Sequence, residues 1–203
     1  MKQYVLASAS PRRIELIKMI GIEAEVVPST LEENADTDDP ERLVRELALQ
    51  KARDIAARYH DGEIVIGADT CVYAGESILG KPKSKDEAMA MLAMLQGNVH
   101  RVYTGVALVR CGGDRSSESG PGNNSREVYF VEKTNVHVYP MTAEEILAYV
   151  ETGEPMDKAG AYAIQGAFCR YIEKIEGDYY NVMGLPVGRL YQTLKEMRAV
   201  RGQ

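Results

Sequence analysis

Cysteine is scarce in this 203-residue chain: Cys71, Cys111 and Cys169 are odd in number, far apart and never arranged as CxxC. That excludes a disulfide framework and a thiolate zinc site, and reads as reduced thiols in a reducing compartment. Histidine is equally scarce, and the isolated His60, His100 and His137 argue against a histidine-based metal centre. No run approaches the roughly 18 unbroken apolar residues of a membrane span, and MKQYVLASAS lacks the apolar core of a secretion signal. A surplus of positive charge is missing too: 24 Lys and Arg stand against 30 Asp and Glu, a formal net charge of -6. That balance argues against nucleic acid and membrane as general partners, so any anion site must be a local basic pocket in an acidic protein. The expectation is a cytoplasmic protein.

What is present is enough apolar sequence, 45% of residues, for a sizeable core. QYVLAS reads as a strand running into a helix that Ser10 can cap and Pro11 opens, ending near Gly21. EAEVVP is a second strand, and Asp39 and Pro40 start a long helix with Leu43, Val44, Leu47, Ala48 and Ile55 on one face. EIVIGAD is a buried strand followed by a hairpin, CVYAGESIL, turning at Gly75. Ser84 with Glu87 and Thr142 with Glu145 are capping boxes for two further helices. HRVYTGVALVR, REVYFVEKTNVHVY, AYAIQ and FCRYIEKIEG read as strands, and Pro186 opens a final helix with Val187, Leu190, Leu194 and Met197 inward. The pattern predicts a single α/β domain over residues 1–203 with a mixed sheet, interrupted by a flexible Gly/Ser/Asn-rich loop at about 111–127.

Several residues carry chemistry. SPRR sets Arg12 and Arg13 in the first turn of a helix, where unpaired N–H groups already make the chain electropositive. Such a corner, with the Ser8 and Ser10 hydroxyls, suits a phosphate; otherwise the arginines point into water. Asp69, at the end of the apolar strand VIGAD, could hold a divalent cation or take a proton from water. Lys51 lies along the apolar stripe of the long helix and either snorkels or reaches into a cleft, while Lys81 in LGKPKS could extend toward the same anion. Glu32 and Glu33 sit in an acidic loop that either binds metal or is simply solvated. TGEPMDKAGAYAIQG carries Asp157, Lys158 and Gln165 in more turn chemistry than a plain connection needs. Cations for phosphates, carboxylates for Mg²⁺ and an amide for a base edge make the inventory of a nucleotide pocket.

LASASPRRIELIKMIG, VIGADT, ILGKPKS, HRVYTGVAL, YVETGEPMDKAGAYAIQG and YYNVMGLPV, in order along nearly the whole chain, closely resemble the Maf family of nucleoside triphosphate pyrophosphatases. The resemblance implies an elongated α/β fold related to the inosine triphosphate pyrophosphatases, with two lobes flanking a cleft, often as a homodimer. It implies hydrolysis of a nucleoside triphosphate to the monophosphate and pyrophosphate with a divalent cation, Mg²⁺ or Mn²⁺. By position it makes Asp69 the proton acceptor and a metal ligand with Glu33. It puts Arg12, Arg13, Lys51 and Lys81 on the phosphates, and Ser8 and Ser10 in the phosphate loop. The combination of Arg12, Thr70 and Gln165 is similar to the branch acting on dTTP and UTP, and a glutamine amide can pair with uracil or thymine. EEN in place of a more usual aspartate–glutamate pair leaves open which of Glu32 and Glu33 faces the metal. Two other readings stand beside this one: a house-cleaning pyrophosphatase for modified nucleotides, and a nucleotide-binding regulator, since the family name is linked to inhibition of septum formation.

Overall fold

The computed structural model describes residues 3–33, 35–112 and 127–199, so the loop expected at about 111–127 lies almost wholly outside the described residues. In chain order the elements are β1 (Tyr4–Leu6), α1 (Pro11–Met19), β2 (Ala24–Val26), α2 (Pro40–Ala56), β3 (Ile64–Ala74), β4 (Ser77–Leu79) and α3 (Lys85–Leu95). They continue with β5 (Val99–Arg110), β6 (Glu127–Val138), α4 (Ala143–Glu151), β7 (Ile172–Glu176), α5 (Tyr179–Met183) and α6 (Val187–Ala199). The sheet runs β2-β1-β3-β5-β6-β7, with β4 also on β3. β1 is parallel to β2 and β3, and the remaining pairs are antiparallel, so the sheet is mixed as the sequence predicts.

Local chemistry sets the helix starts. Asp39 accepts hydrogen bonds from the Glu41 and Arg42 amides ahead of Pro40, and Thr142 and Glu145 exchange both bonds of a capping box. The other two caps differ from expectation. Ser84 accepts from the Glu87 amide, but the Glu87 carboxylate turns to the Lys83 amide, so that box is half made. Ser10 makes no side-chain cap at all; its own amide donates to Ser8 Oγ instead.

Two apolar layers form against the sheet. On one face α2 packs Ala48, Ala52 and Ile55 onto Val65, Ala107 and Val109. On the other, a larger core gathers Leu6, Leu16, Ile66, Leu92, Leu108, Phe168, Leu185 and Leu190, all within 1% of full burial. Each such side chain contributes about 1.5–3 kcal/mol relative to exposure. The inward face read for α6 is the one that is buried.

One stretch departs from its expected form. AYAIQ is no strand: a tight helical turn at Ala159–Ala161 contains Gly160 and Ala161 in left-handed backbone, φ 68° and 59°. Its backbone amides go to loop and side-chain partners instead of a ladder, as when the Ala163 amide donates to the Tyr149 hydroxyl. FCRY likewise forms a tight turn at Ala167–Tyr171, and only IEKIE pairs as a strand.

The topology positions a gap. β1 and β4 both pair with the edge of β3 opposite β5, β1 at Ile64–Ile66 and β4 at Val72–Ala74. Between them, residues 67–71 of β3 have no strand partner on that edge among the described residues. The long strands β3, β5 and β6 thereby join two halves of the sheet across an opening.

Candidate active site

Asp69 and Thr70 occupy that opening. Alternation along β3 sends them to opposite faces of the sheet, Asp69 toward α2 and Thr70 toward α1. The two glycines that bring α2 close are on neighbouring strands. A Cβ on Gly67 would lie 2.3 Å from Ala48 O, and one on Gly105 would lie 2.3 Å from Val44 O. With the helix seated directly on the strands, Lys51 reaches the sheet edge instead of snorkelling away.

Lys51 Nζ is 2.7 Å from Asp69 Oδ1 and 2.7 Å from Glu33 Oε1. The Lys51 and Asp69 side chains are only 16% and 13% exposed, whereas Glu33 is 56% exposed. Glu33 therefore approaches from the solvent side. Burial pushes the Asp69 carboxyl above its usual range, and the Lys51 and Arg13 cations pull it back. The adjacent Cys71 thiol is pushed up to about 12, by burial first and by Asp69 second, so it is no nucleophile here.

On the other face, Arg13 is bound on three sides. Its Nε donates to Gly184 O at 2.8 Å, one terminal nitrogen to Thr70 Oγ1 at 2.9 Å and the other to Ser8 Oγ at 3.3 Å. Burial lowers the Arg13 pKa, Asp69 opposes the shift and Arg12 adds to it. The carbonyl at the end of α5 thus offsets the burden of a cation at the α1 N-terminus. Arg12 makes no hydrogen bond among the described residues. Its field reaches Asp157, which the Lys158 ammonium chiefly, and Arg12 more weakly, hold below the usual carboxylate range.

A polar chain continues inward. Thr70 Oγ1 and Thr104 Oγ1 are 3.0 Å apart, and Thr104 donates to the Asn181 carbonyl at 3.0 Å. Asn181 Nδ2 donates to Val102 O and to Thr134 Oγ1, and Thr134 donates to Asp178 O. Thr104, Thr134 and Asn181 are fully buried. Nothing in the sequence reading singled them out; the signal available was a threonine within the apolar run of β5 and an asparagine in YYNVMGLP.

The structure thus brings together Glu33, Lys51 and Asp69 on one face, and Ser8, Arg13 and Thr70 on the other. It leaves Glu32 outside the Lys51 cluster. Lys81 and Gln165 are exposed, and Ser10 is half-buried beside the α1 N-terminus. Gly80 O, next to Lys81, accepts from the Gly160 amide, which ties that turn to the loop carrying Gln165. No group of three or more His, Cys, Asp or Glu side chains among the described residues is set to enclose a metal. Glu33 and Asp69 each turn one carboxylate oxygen to the Lys51 ammonium, and their second oxygens are hard donors that would suit a divalent cation.

Comparison with known proteins adds the following. The family model described as Maf-like protein matches residues 3–197. A dTTP/UTP pyrophosphatase of Lachnoclostridium phytofermentans is 46% identical over 196 residues, covering 97% of this chain and 95% of its own. One from Symbiobacterium thermophilum is 49% identical over 197 residues, covering 97% and 94%. Among solved structures, the Ham1 protein of Staphylococcus aureus aligns over 97% of this chain and 100% of its own, at 17% identity and a TM-score of 0.49.

Proposed function

The chain belongs to the Maf family, and from that premise we propose that it is a dTTP/UTP pyrophosphatase, hydrolysing these nucleotides between the α and β phosphates to the monophosphate and pyrophosphate. The observation that carries the reading is Lys51 held at 2.7 Å from both Asp69 and Glu33 at the uncovered edge of β3. The names of the relatives at 46% and 49% identity support the substrate pair.

Asp69 acts as the general base. Its carboxylate is partly withdrawn from water, so its basicity exceeds that of a surface aspartate, while Lys51 fixes the carboxylate oxygen in place. Arg12 and Lys81, which keep their charges uncommitted to hydrogen bonds among the described residues, take phosphate oxygens, and Ser8 and Ser10 line the phosphate loop. Arg13, tied to Thr70, Ser8 and Gly184, holds the α1 N-terminus against β3 and contributes its charge at short range. Glu33 and Asp69 would hold a divalent cation, Mg²⁺ or Mn²⁺, which when bound neutralises charge developing on the pyrophosphate leaving group. Gln165 reads the base edge. A cytoplasmic location belongs to the same reading and is supported by three cysteines that are all free thiols.

Asp69→Asn tests the assignment. The substitution keeps size and hydrogen-bonding capacity but removes the base, so turnover of dTTP is expected to fall by about 10³-fold or more. The KM is expected to stay within a few-fold of the unaltered value. Turnover that survives Asp69→Asn would favour a nucleotide-binding regulator with a contaminating activity.

A further inference from the structure

A side-chain hydroxyl carries one proton and two lone pairs, while a guanidinium carries donors alone. In a chain of such groups, one fixed acceptor sets the direction of every bond that follows. The polar chain running inward from Arg13 has such an acceptor at its far end.

Thr70 and Thr104 lie directly opposite each other in the β3–β5 register, so their side chains share one face of the sheet. The Asn181 main-chain carbonyl can only accept, and at 3.0 Å it takes the Thr104 proton. With that proton spent, Thr104 Oγ1 can only accept, so its 3.0 Å contact with Thr70 is a bond that Thr70 donates. Thr70 then turns a lone pair to Arg13, 2.9 Å away. The other acceptor near the Thr70 proton is Gly184 O at 3.5 Å, where Arg13 Nε already donates at 2.8 Å. Without the Thr104 oxygen, the Thr70 proton would turn to that carbonyl in competition with Arg13, and its lone pairs would turn with it. Burial penalises the Arg13 charge, so each acceptor around it counts.

The fixed acceptor is itself pinned. Asn181 Nδ2 donates to Val102 O at 3.0 Å and to Thr134 Oγ1 at 2.9 Å, which fastens α5 to β5 and β6. Gly184, at the C-terminal end of α5, thereby presents its carbonyl to Arg13 from a set position. At the near end the chain reaches Ser8, only 8% exposed. Ser8 Oγ accepts from Arg13 and from the Ser10 amide, each at 3.3 Å, which uses both lone pairs. Its proton has no partner among the described residues, so Ser8 meets a ligand as a donor, and a phosphate oxygen is an acceptor. None of these bonds touches Asp69 or Lys51, which meet on the opposite face of β3. Thr104 is fully buried in the apolar run of β5, where a valine would fill nearly the same space.

Resting on the reading of the α1 corner as the phosphate cradle, we propose that Thr104 is a positioning residue for phosphate binding. Its hydroxyl sets the direction in which Thr70 donates, and so holds Arg13 and Ser8 in the arrangement that leaves a proton for the ligand.

The experiment measures KM for UTP and, by calorimetry, Kd for inorganic tripolyphosphate, which has no base, both with Mg²⁺. It compares the unaltered chain with Thr104→Val, Thr104→Ser, Thr70→Val and the Thr70→Val/Thr104→Val double variant. Neither constant depends on the fraction folded, so a destabilised variant still reports. Both are expected to rise about tenfold in Thr104→Val, with kcat per binding site changed less than about threefold. Thr104→Ser keeps the hydroxyl and is expected to stay within about threefold of the unaltered chain. A packing role predicts the reverse order, because serine loses a buried methyl group and valine does not. The double variant is expected to match Thr70→Val, since Thr104 acts through Thr70. Unchanged constants in Thr104→Val, a Thr104→Ser as impaired as Thr104→Val, or a double variant weaker than Thr70→Val each overturn the proposal. If the unaltered chain hydrolyses no UTP, the proposed function fails and the tripolyphosphate comparison alone decides for or against Thr104. If it binds no tripolyphosphate, the phosphate cradle falls and this proposal with it.

Discussion

At the scale of single residues, the site divides between two neighbours that look in opposite directions. Asp69 meets Lys51 and Glu33 on the α2 face, and Thr70 meets Arg13 and Thr104 on the other. Asp69 and the partner of the Arg13 corner, Thr70, are thus carried by adjacent residues of one strand. Away from the site, His100 carries a separate consequence. It is buried against Tyr162, with its Nδ1 lacking a partner among the described residues, and burial, with a smaller push from His137, lowers its pKa to about 4. Between about pH 6.5 and pH 4 the unfolded chain binds this proton and the folded chain does not. Stability is therefore complete above about pH 6.5 and declines as pH falls toward 4, by up to about 3 kcal/mol from this group. Urea unfolding midpoints measured from pH 7 to pH 4.5 should show that decline, and His100→Gln should flatten it. An equal slope in the variant would mean that other groups carry the acid sensitivity.

At the scale of elements, the decisive contact is α2 lying on β3 and β5. Gly105, like Gly67, is a point of close approach, with Val44 O at 2.3 Å and Arg45 N at 2.8 Å from a built Cβ, all backbone atoms that cannot yield singly. Gly105→Ala should lift the helix, destabilise by about 1–3 kcal/mol and separate Lys51 from Asp69. Activity measured well below the melting temperature should then fall more than the loss of folded protein explains. Gly188→Ala is the contrasting case: nothing lies within 4 Å of that Cβ and the residue is helical, so stability should hold or rise by up to about 1 kcal/mol. Thermal melts of the two variants, and turnover of Gly105→Ala, check this; equal effects of the two methyl groups would refute the close-approach argument. The helices themselves were legible in the sequence, because caps such as Asp39 with Pro40 and the Thr142–Glu145 box act within four residues. AYAIQ reads as a strand and is none for the converse reason: its pattern is apolar, but the conformation here is set by Gly80, Val72 and Tyr149, all distant in sequence.

At the scale of the whole molecule, the two halves of the sheet meet where β3 is uncovered, and a nucleotide seated there, as proposed, would touch both. Arg12, Ser8 and Ser10 stand at the β1–α1 junction, and Lys81 stands beside Gly80, whose carbonyl accepts from the Gly160 amide in the loop that carries Gln165. The basic and acidic members of this site could be named from the sequence because their chemistry is strange where they stand: arginines at a helix N-terminus, a lysine on an apolar stripe, a carboxylate ending an apolar strand. Their supports could not. Arg13 reaches Gly184 across 171 residues and Thr104 reaches Asn181 across 77, and no local pattern marks such pairs. Which of Glu32 and Glu33 meets Lys51 likewise became clear only from the loop's path. A non-hydrolysable dUTP analogue with a methylene between the α and β phosphorus atoms, at about 100 times its Kd with Mg²⁺, should stabilise the folded chain by about 2.7 kcal/mol. A melting temperature that does not move with the analogue would speak against a nucleotide site spanning the two halves.

The most direct test of the central claim is product analysis after hydrolysis of dTTP and UTP by the purified chain with Mg²⁺ or Mn²⁺, beside Asp69→Asn. The account predicts one pyrophosphate for each monophosphate, no accumulating diphosphate, and near-complete loss of both products in Asp69→Asn. Orthophosphate with nucleoside diphosphate, or undiminished turnover in Asp69→Asn, would contradict it.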